Sequence, residues 1–131
     1  MGVPIIWKSK SQKSITLSSS EAEYVALSEA TKEINFVYQL LLSIGIQVQL
    51  PIVMRVDNVG VIFMSENTST SGRMKHIDIR YWYVNETILD VFLKVLFVKT
   101  SENVADVFTK NMKSETYREL VRHFLMDKKI N

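Results

Sequence analysis

The feature that most constrains this chain is a stretch rich in serine and glutamate that opens a long segment of helical periodicity. From Ser18 to Tyr24 the sequence reads SSSEAEY. Its serines are good helix N-caps, and Ser20 with Glu23 three residues later fits a capping box. Apolar residues then recur at helical spacing, which predicts one apolar face. They are Ala22, Ala26, Ala30, Ile34, Val37, Leu41 and Ile44.

Gly45 predicts where this helix stops. The residue after a helix end often adopts a left-handed conformation, which glycine tolerates best. We therefore predict one helix from Ser20 to Ile44. Its simplest interpretation is a well-capped amphipathic helix whose acidic first turns complement the helix dipole. A functional interpretation needs further carboxylates elsewhere in the chain.

Composition limits the classes of protein to which this chain can belong. Its 131 residues, 47% hydrophobic and 23% charged, predict a single globular domain over residues 1–131. The net charge of +2 permits a polyanionic partner without requiring one. The absence of cysteine excludes disulfides and thiolate zinc sites. Without a signal-peptide pattern or an apolar run of membrane-spanning length, we expect an intracellular protein of cytoplasm or nucleus with no membrane span.

A second carboxylate follows a predicted buried strand. Residues 52–57 read as a strand that ends on Asp57, and Asn58, Gly60 and a short apolar helix come next. Helix, strand and helix in this order favour an α/β fold. Ligand groups in open α/β sheets lie at the carboxyl ends of strands. A turn residue or helix N-cap is the alternative interpretation of Asp57.

The rest of the chain predicts three strands and three helices around these segments. The predicted strands are Val3–Trp7, Ile15–Leu17 and Val91–Thr100, the last with Leu93, Val95 and Phe97 on one face. The predicted helices are Lys75–Leu89, Ser101–Lys110 and Ser114–Lys129. In the first of these, Ile77, Tyr81, Val84 and Ile88 are predicted to face inward.

Basic and aromatic residues gather before and within the predicted helix at 75–89. Arg73, Lys75, His76 and Arg80 are candidates for contact with a nucleic-acid backbone. The alternative is an ordinary helix with a solvated basic flank and buried aromatic rings.

Asp106, early in the predicted helix that starts at Ser101, is the third carboxylate of interest. With Glu23 and Asp57 it gives three acids from separated segments, which suits a site for a hard divalent cation. Two such ions would activate water and stabilise the leaving oxygen of a phosphodiester. Pattern alone does not show that the three acids converge, so the metal site is a hypothesis.

Five segments resemble the ribonuclease H domain at the C-terminus of copia-type LTR retrotransposon polyproteins. They occur in the order and at the spacing of that family and cover nearly the whole chain. They are Trp7–Lys13, Leu17–Leu27, Val56–Asn58, Met74–Tyr81 and Val104–Lys110.

The resemblance implies a ribonuclease H-like fold, a mixed five-stranded sheet flanked by helices. It also implies hydrolysis of RNA in RNA–DNA hybrids by four carboxylates and two Mg²⁺ ions, with Mn²⁺ as a substitute. The helix carboxylate of the family corresponds to Glu23 rather than Glu21. The carboxylates of the strand end and last helix correspond to Asp57 and Asp106.

The chain departs from the family pattern at its start. The family's first catalytic aspartate lies on the first strand, upstream of the segment that begins at Trp7, and these residues hold no counterpart. We therefore expect the C-terminal portion of the domain, incomplete at its N-terminus, with impaired catalysis. Two smaller departures are Val91, where the family usually has glycine, and Asn111, where it usually has proline.

Two further hypotheses follow from the expected incompleteness. In one, the chain is a catalytically inactive, recruited binding or structural subunit. An open sheet edge at Val3–Trp7 then docks it to another protein chain or a second copy, since exposed edges invite strand pairing. In the other, the basic residues keep weak binding to RNA–DNA hybrids without cleavage.

Overall fold

The computed structural model describes residues 5–9, 11–12, 18–66 and 78–122. Two compact units account for the chain, Ser14–Phe97 and a second that joins Met1–Lys13 to Val98–Asn131. The single domain predicted from chain length therefore stays a prediction. The first unit contains helix α1 (Ser19–Ser43), strand β1 (Ile52–Val56), helix α2 (Val59–Glu66), helix α3 (Asp78–Leu89) and strand β2 (Leu93–Phe97). The second contains two 3₁₀ turns (Thr100–Glu102 and Val104–Phe108) and helix α4 (Ser114–Val121).

Helix α1 begins two residues earlier than the predicted capping box implies. Ser18 is the N-cap, with an extended backbone, and its hydroxyl oxygen accepts a hydrogen bond from the Glu21 N–H at 3.2 Å. Ser20 lies inside the first turn, so the predicted cap at Ser20 is wrong. The three serines are equivalent by cap propensity, and their surroundings in the fold select among them.

The buried face of α1 also differs from the predicted row of alanines. Ala26 is exposed, and so is Ile44. The buried residues are Tyr24, Val25, Leu27, Ser28 and Thr31. Thr31 tolerates burial because its hydroxyl donates a 2.8 Å hydrogen bond to the carbonyl oxygen of Leu27. Periodicity that counts only apolar residues misses a face that includes such hydroxyls.

Two helices end with the same backbone motif. After α1, Gly45 has a φ of +81°, the Gly45 N–H bonds to the Leu42 oxygen at 3.0 Å, and the Ile46 N–H bonds to the Leu41 oxygen at 2.9 Å. This is a Schellman motif, in which one left-handed residue lets the chain satisfy the last helical carbonyls. The predicted stop at Gly45 is confirmed.

Helix α3 ends in the same way with valine in the left-handed position. The Val91 N–H bonds to the Ile88 oxygen at 3.0 Å, and the Phe92 N–H bonds to the Thr87 oxygen at 3.1 Å. Val91 has a φ of +56°, which is unfavourable for a β-branched residue. The resemblance predicts glycine at this position, and the left-handed backbone gives a physical reason for that preference.

Strands β1 and β2 form a parallel two-stranded sheet in which Ile52 pairs with Leu93 and Val56 with Phe97. The chain passes through α2 and α3 between them, so the α/β class is confirmed. Because alternate residues of a strand point to the same side, Leu93, Val95 and Phe97 share one face of β2 as predicted. Leu93 and Val95 are buried, whereas Phe97, the last residue of the strand, is 52% exposed.

The core of the first unit lies between the sheet and the three helices. Tyr24 of α1 and Tyr81 of α3 stack with ring centroids 5.6 Å apart, and the Tyr24 hydroxyl donates to the Tyr81 carbonyl oxygen at 3.4 Å. Burial, with a smaller contribution from nearby Tyr81, raises the pKa of Tyr24 above its ordinary value, so this donor stays protonated. Tyr81 and Val84 face inward as predicted, and Ile88 packs against the same core.

The starts of α1 and α2 meet directly after β1. The Ser20 hydroxyl donates to the Asn58 side-chain oxygen at 3.3 Å, and that oxygen also accepts the Gly60 N–H at 2.9 Å. A Cβ on Gly60 would lie 2.6 Å from the Ser20 hydroxyl oxygen. Glycine at position 60 thus permits the close approach of the two helices.

In the second unit, the predicted first strand, the predicted helix from Ser101 and its predicted cap need correction. Ile5–Trp7 form no strand, since no partner strand pairs with them in the described ranges. The Trp7 ring instead stacks on Phe108, with ring centroids 6.2 Å apart. The helix predicted from Ser101 is two 3₁₀ turns, and Asn103 caps the second by accepting the Ala105 N–H at 3.2 Å. The cap of this second turn is therefore Asn103, and the predicted cap at Ser101 is wrong.

Other predicted segments fall partly or wholly outside the described residues. These are residues 3–4 of the first predicted strand, Ile15–Leu17, residues 75–77 of the helix predicted at Lys75–Leu89, with its inward-facing Ile77, and residues 123–129 of the last helix. Among the described helices, none combines the length and apolar character needed to cross a bilayer.

Replacement of Val91 by glycine should stabilise the protein. Val91 is 61% exposed, so Val91→Gly removes left-handed strain and little buried surface. We expect a gain of about 1 kcal/mol in the free energy of unfolding, measured by urea denaturation. Ile44→Gly is the matched control, since Ile44 is 64% exposed at the end of α1 but has a φ of −99°. A gain in the control equal to that of Val91→Gly would contradict the assignment of strain.

Gly60→Ala should destabilise the first unit by crowding Ser20. Overpacking of this kind costs about 1 kcal/mol or more. The cost should shrink in a Ser20→Ala background, because the closest oxygen is then absent. Gly45→Ala serves as the control. Open space surrounds Gly45, so any loss of stability in this variant arises from the left-handed backbone at position 45 and not from crowding. Strict additivity of Gly60→Ala and Ser20→Ala would show that the two residues do not touch.

Candidate carboxylate site

Asp57 directly follows β1, at the carboxyl end of the strand as predicted, although the strand itself ends at Val56. The prediction that this strand is buried is wrong, because its residues alternate between half-buried and exposed. The Asp57 side chain is half-buried. The cap of α2 is Asn58, whose side-chain oxygen accepts the Gly60 N–H at 2.9 Å. The alternative that Asp57 serves as the helix N-cap is therefore wrong. Asn58 performs that structural task, and Asp57 lies beside it at the strand end.

Glu23 lies on the part of α1 that approaches this strand end. Ser20, one turn earlier, touches Asn58 through the 3.3 Å hydrogen bond. Residues three apart on a helix are neighbours on one face, so Glu23 shares the face of Ser20, while Glu21 points away from that row. Glu23 is exposed. The structure thus brings together the two elements that carry Glu23 and Asp57.

Asp106 belongs to the second compact unit, in the 3₁₀ turn Val104–Phe108. It is the one charged residue among the buried residues of the described part, and its Oδ2 accepts a 2.8 Å hydrogen bond from the Lys110 ammonium. Sequence reasoning included Lys110 in a motif without giving it a role. The signal was present, because Asp and Lys four residues apart in a helical segment are spaced for an ion pair.

The chemistry of the three acids suits a hard divalent cation. Carboxylate oxygens are the ligands that Mg²⁺ prefers, and Mn²⁺ accepts the same donors. In the part of the chain that the structure describes, no three His, Cys, Asp or Glu side chains form a group able to hold a metal ion. The magnesium site stays a prediction, with Glu23 and Asp57 carried on adjoining elements.

The candidate nucleic-acid contacts are only partly described. Arg80 is half-buried on α3, and Trp82, two residues later, is exposed. Arg73, Lys75 and His76 lie outside the described residues. Backbone contact by these four residues therefore stays a prediction.

Comparison with known proteins identifies relatives that are much longer than this chain. It is 41% identical over 123 residues to the retrovirus-related Pol polyprotein from transposon TNT 1-94 of Nicotiana tabacum, a match that covers 92% of this chain and 9% of that protein. The Pol polyprotein from transposon RE2 of Arabidopsis thaliana is 34% identical over 119 residues, which are 91% of this chain and 8% of that protein.

A third relative is the Pol polyprotein from transposon RE1 of Arabidopsis thaliana, 35% identical over 115 residues, covering 88% of this chain and 8% of the relative. No family model matches the chain. No solved structure matches it either. The chain spans about a tenth of the length of these relatives. Along most of its own length, it is therefore homologous to a short segment of retrovirus-related Pol polyproteins from transposons.

Proposed function

We propose that this chain is the C-terminal portion of a ribonuclease H-like domain from a copia-type Pol polyprotein. The activity in which it takes part is hydrolysis of the RNA strand in RNA–DNA hybrids. Homology to transposon Pol polyproteins supports the retrotransposon origin. The five matching sequence segments support the finer assignment, and the α/β architecture is compatible with it.

The observation that carries the proposal is the contact between the start of α1 and the end of β1. The Ser20 hydroxyl bonds to the Asn58 side chain at 3.3 Å. A nuclease of this family needs a helix carboxylate beside a strand-end carboxylate. Glu23 lies about one helical turn after Ser20, and Asp57 directly precedes Asn58. This placement agrees with the roles that the resemblance assigns to them.

Each carboxylate has a distinct setting in the proposed site. Glu23 is exposed, Asp57 half-buried and Asp106 buried beside Lys110. The resemblance assigns each of them an oxygen ligand for Mg²⁺ or Mn²⁺, which would supply an activated water and charge stabilisation for the leaving oxygen. The protein groups fix the oxygen ligands in place, and Arg80, with Arg73, Lys75 and His76, would hold the hybrid through its phosphates.

Catalysis also needs the family's first aspartate, for which these 131 residues hold no counterpart. The proposal therefore assigns the activity to this chain together with a segment that carries that aspartate. Such a segment is supplied in the same polypeptide or by a separate chain. Glu23, Asp57 and Asp106 are this chain's contribution to the site.

A second candidate function is a binding or structural role without catalysis. Two observations favour it: Asp106 is already paired with Lys110, and β1 and β2 each pair with only one strand within the described ranges. The face of this sheet opposite the core also exposes Val53 and Leu96. Docking of another protein chain or a second copy at an open edge of this sheet would cover backbone groups that otherwise bond to water.

Cleavage of a labelled RNA–DNA hybrid tests the primary proposal. The chain alone should cleave weakly or not at all. A fusion that adds the family's first two strands with their aspartate should cleave in Mg²⁺. In that fusion, Asp57→Asn should lower the rate by ~100-fold or more, because one metal-holding oxygen is replaced by an amide.

The matched control is Asp90→Asn, which removes an exposed aspartate after α3 in the same unit. It should leave the cleavage rate unchanged. Equal activity of Asp57→Asn and the parent fusion would refute the assigned site. A folded fusion that does not cleave, yet binds the hybrid in a salt-sensitive manner after chelation of metal, would instead support hybrid binding by the basic residues without cleavage.

A further inference from the structure

The second half of helix α1 lies in the longest stretch of this chain without a charged side chain. Residues 34–54 are 21 consecutive residues with no Asp, Glu, Lys, Arg or His, although 23% of the chain is charged. A helix on the surface of a globular protein ordinarily turns charged and polar residues towards water. The exposed side of this half of α1 therefore has an unusual composition.

Three large apolar side chains form a row along that exposed side. Phe36, Leu40 and Ile44 follow one another at intervals of four residues, so they lie on one face of the helix. They are 64%, 51% and 64% exposed. The other side of the helix packs inward, where the Tyr38 ring meets the Phe92 ring edge to face with centroids 5.2 Å apart. The row thus faces away from the core of the first unit.

We propose that the face formed by Phe36, Leu40 and Ile44 is a dimer interface, and that it binds the same face of a second copy of this chain. The two helices pack antiparallel about a twofold axis at Leu40. In this arrangement Phe36 of each copy faces Ile44 of the other copy, and the two Leu40 side chains meet on the axis.

The lack of charge on this face favours a second copy as its partner. A twofold interface brings a surface against itself, so a charge near the axis meets an identical charge and weakens the contact. The first charged residues before the stretch, Lys32 and Glu33, lie about 10 Å along the helix from the axis. Identical charges are then separated by about twice that distance, beyond the screening length of physiological salt. Binding to an anionic membrane instead calls for lysine or arginine beside the apolar row.

The exposed area suits a weak dimer. Ile46, which is 48% exposed, extends the apolar row, and its N–H bonds to the Leu41 oxygen at the helix end at 2.9 Å. Judged by their exposed fractions, the four apolar side chains offer roughly 400 Å² on each copy, a size typical of functional patches. With the exposed Gln39 and Ser43 beside them, the pair buries about 1,000 Å² in total, the lower limit for a specific interface. We therefore expect dissociation in the micromolar range.

This dimer leaves the candidate carboxylate site open. Glu23 precedes Leu40 by 17 residues on the same helix, which is about 25 Å along its axis. The two Glu23 side chains therefore lie towards opposite ends of the antiparallel pair. Dimerisation neither requires nor blocks the proposed nuclease role, so each is tested without the other.

Sedimentation of the full 131-residue chain over a range of concentrations tests the interface. The mass should rise from 15.1 kDa towards about twice that value and stop there. Leu40→Glu places two negative charges on the axis and should weaken association at least ~100-fold. Ile79→Glu is the matched control, because Ile79 is an apolar residue of α3 that is 86% exposed. It should leave the dissociation constant within about twofold of the wild-type value.

A charge exchange locates the axis. Leu40→Lys alone should also be monomeric, whereas an equimolar mixture of Leu40→Lys and Leu40→Glu should dimerise again, because opposite charges then meet. Position 40 is half exposed, and circular dichroism should show that both variants keep the wild-type helix content.

Four outcomes would overturn the inference. The wild-type chain could remain monomeric at millimolar concentration, or its mass could rise beyond that of a dimer. Leu40→Glu could associate as tightly as the wild type, which would place the contact on another surface such as the sheet edge. The mixed variants could stay monomeric. A monomeric wild-type chain that sediments with phosphatidylserine vesicles would assign the face to a membrane instead.

Discussion

The candidate site depends on the hydrogen bond between Ser20 and Asn58. It joins the first turn of α1 to the end of β1, and it needs a residue without a side chain at position 60. Asn58 uses the same oxygen to cap α2, so one amide fixes the start of two helices. This junction determines where Glu23 and Asp57 lie. The packing of these backbone segments therefore places the two carboxylates.

Features governed by local backbone chemistry could be predicted from the sequence. The stop at Gly45 follows from the steric freedom of glycine, and the strand that ends before Asp57 follows from its β-prone residues and the turn signals around it. The buried face of α1 could not be derived in this way. It contains Ser28 and Thr31, whose burial depends on partners from the fold rather than on their own polarity.

The candidate site was predictable only in part, for a similar reason. Each acid could be placed on an element, but their convergence depends on tertiary packing that no single segment encodes. The contact of Ser20 with Asn58 supports the pairing of Glu23 with Asp57, whereas Asp106 lies in a separate compact unit. Lys110 went unassigned because an Asp–Lys pair at helical spacing is common on protein surfaces. Burial of Asp106 distinguishes this pair from the ordinary kind.

The central claim is that Glu23 and Asp57 hold one divalent cation between them. The most direct measurement is a crystal structure of this chain, joined to the family's first two strands, with Mn²⁺ added and its anomalous scattering recorded. The account predicts an anomalous peak within ligand distance of both carboxylates. A well-ordered junction at Ser20 and Asn58 with saturating Mn²⁺ and no peak beside either carboxylate would contradict it.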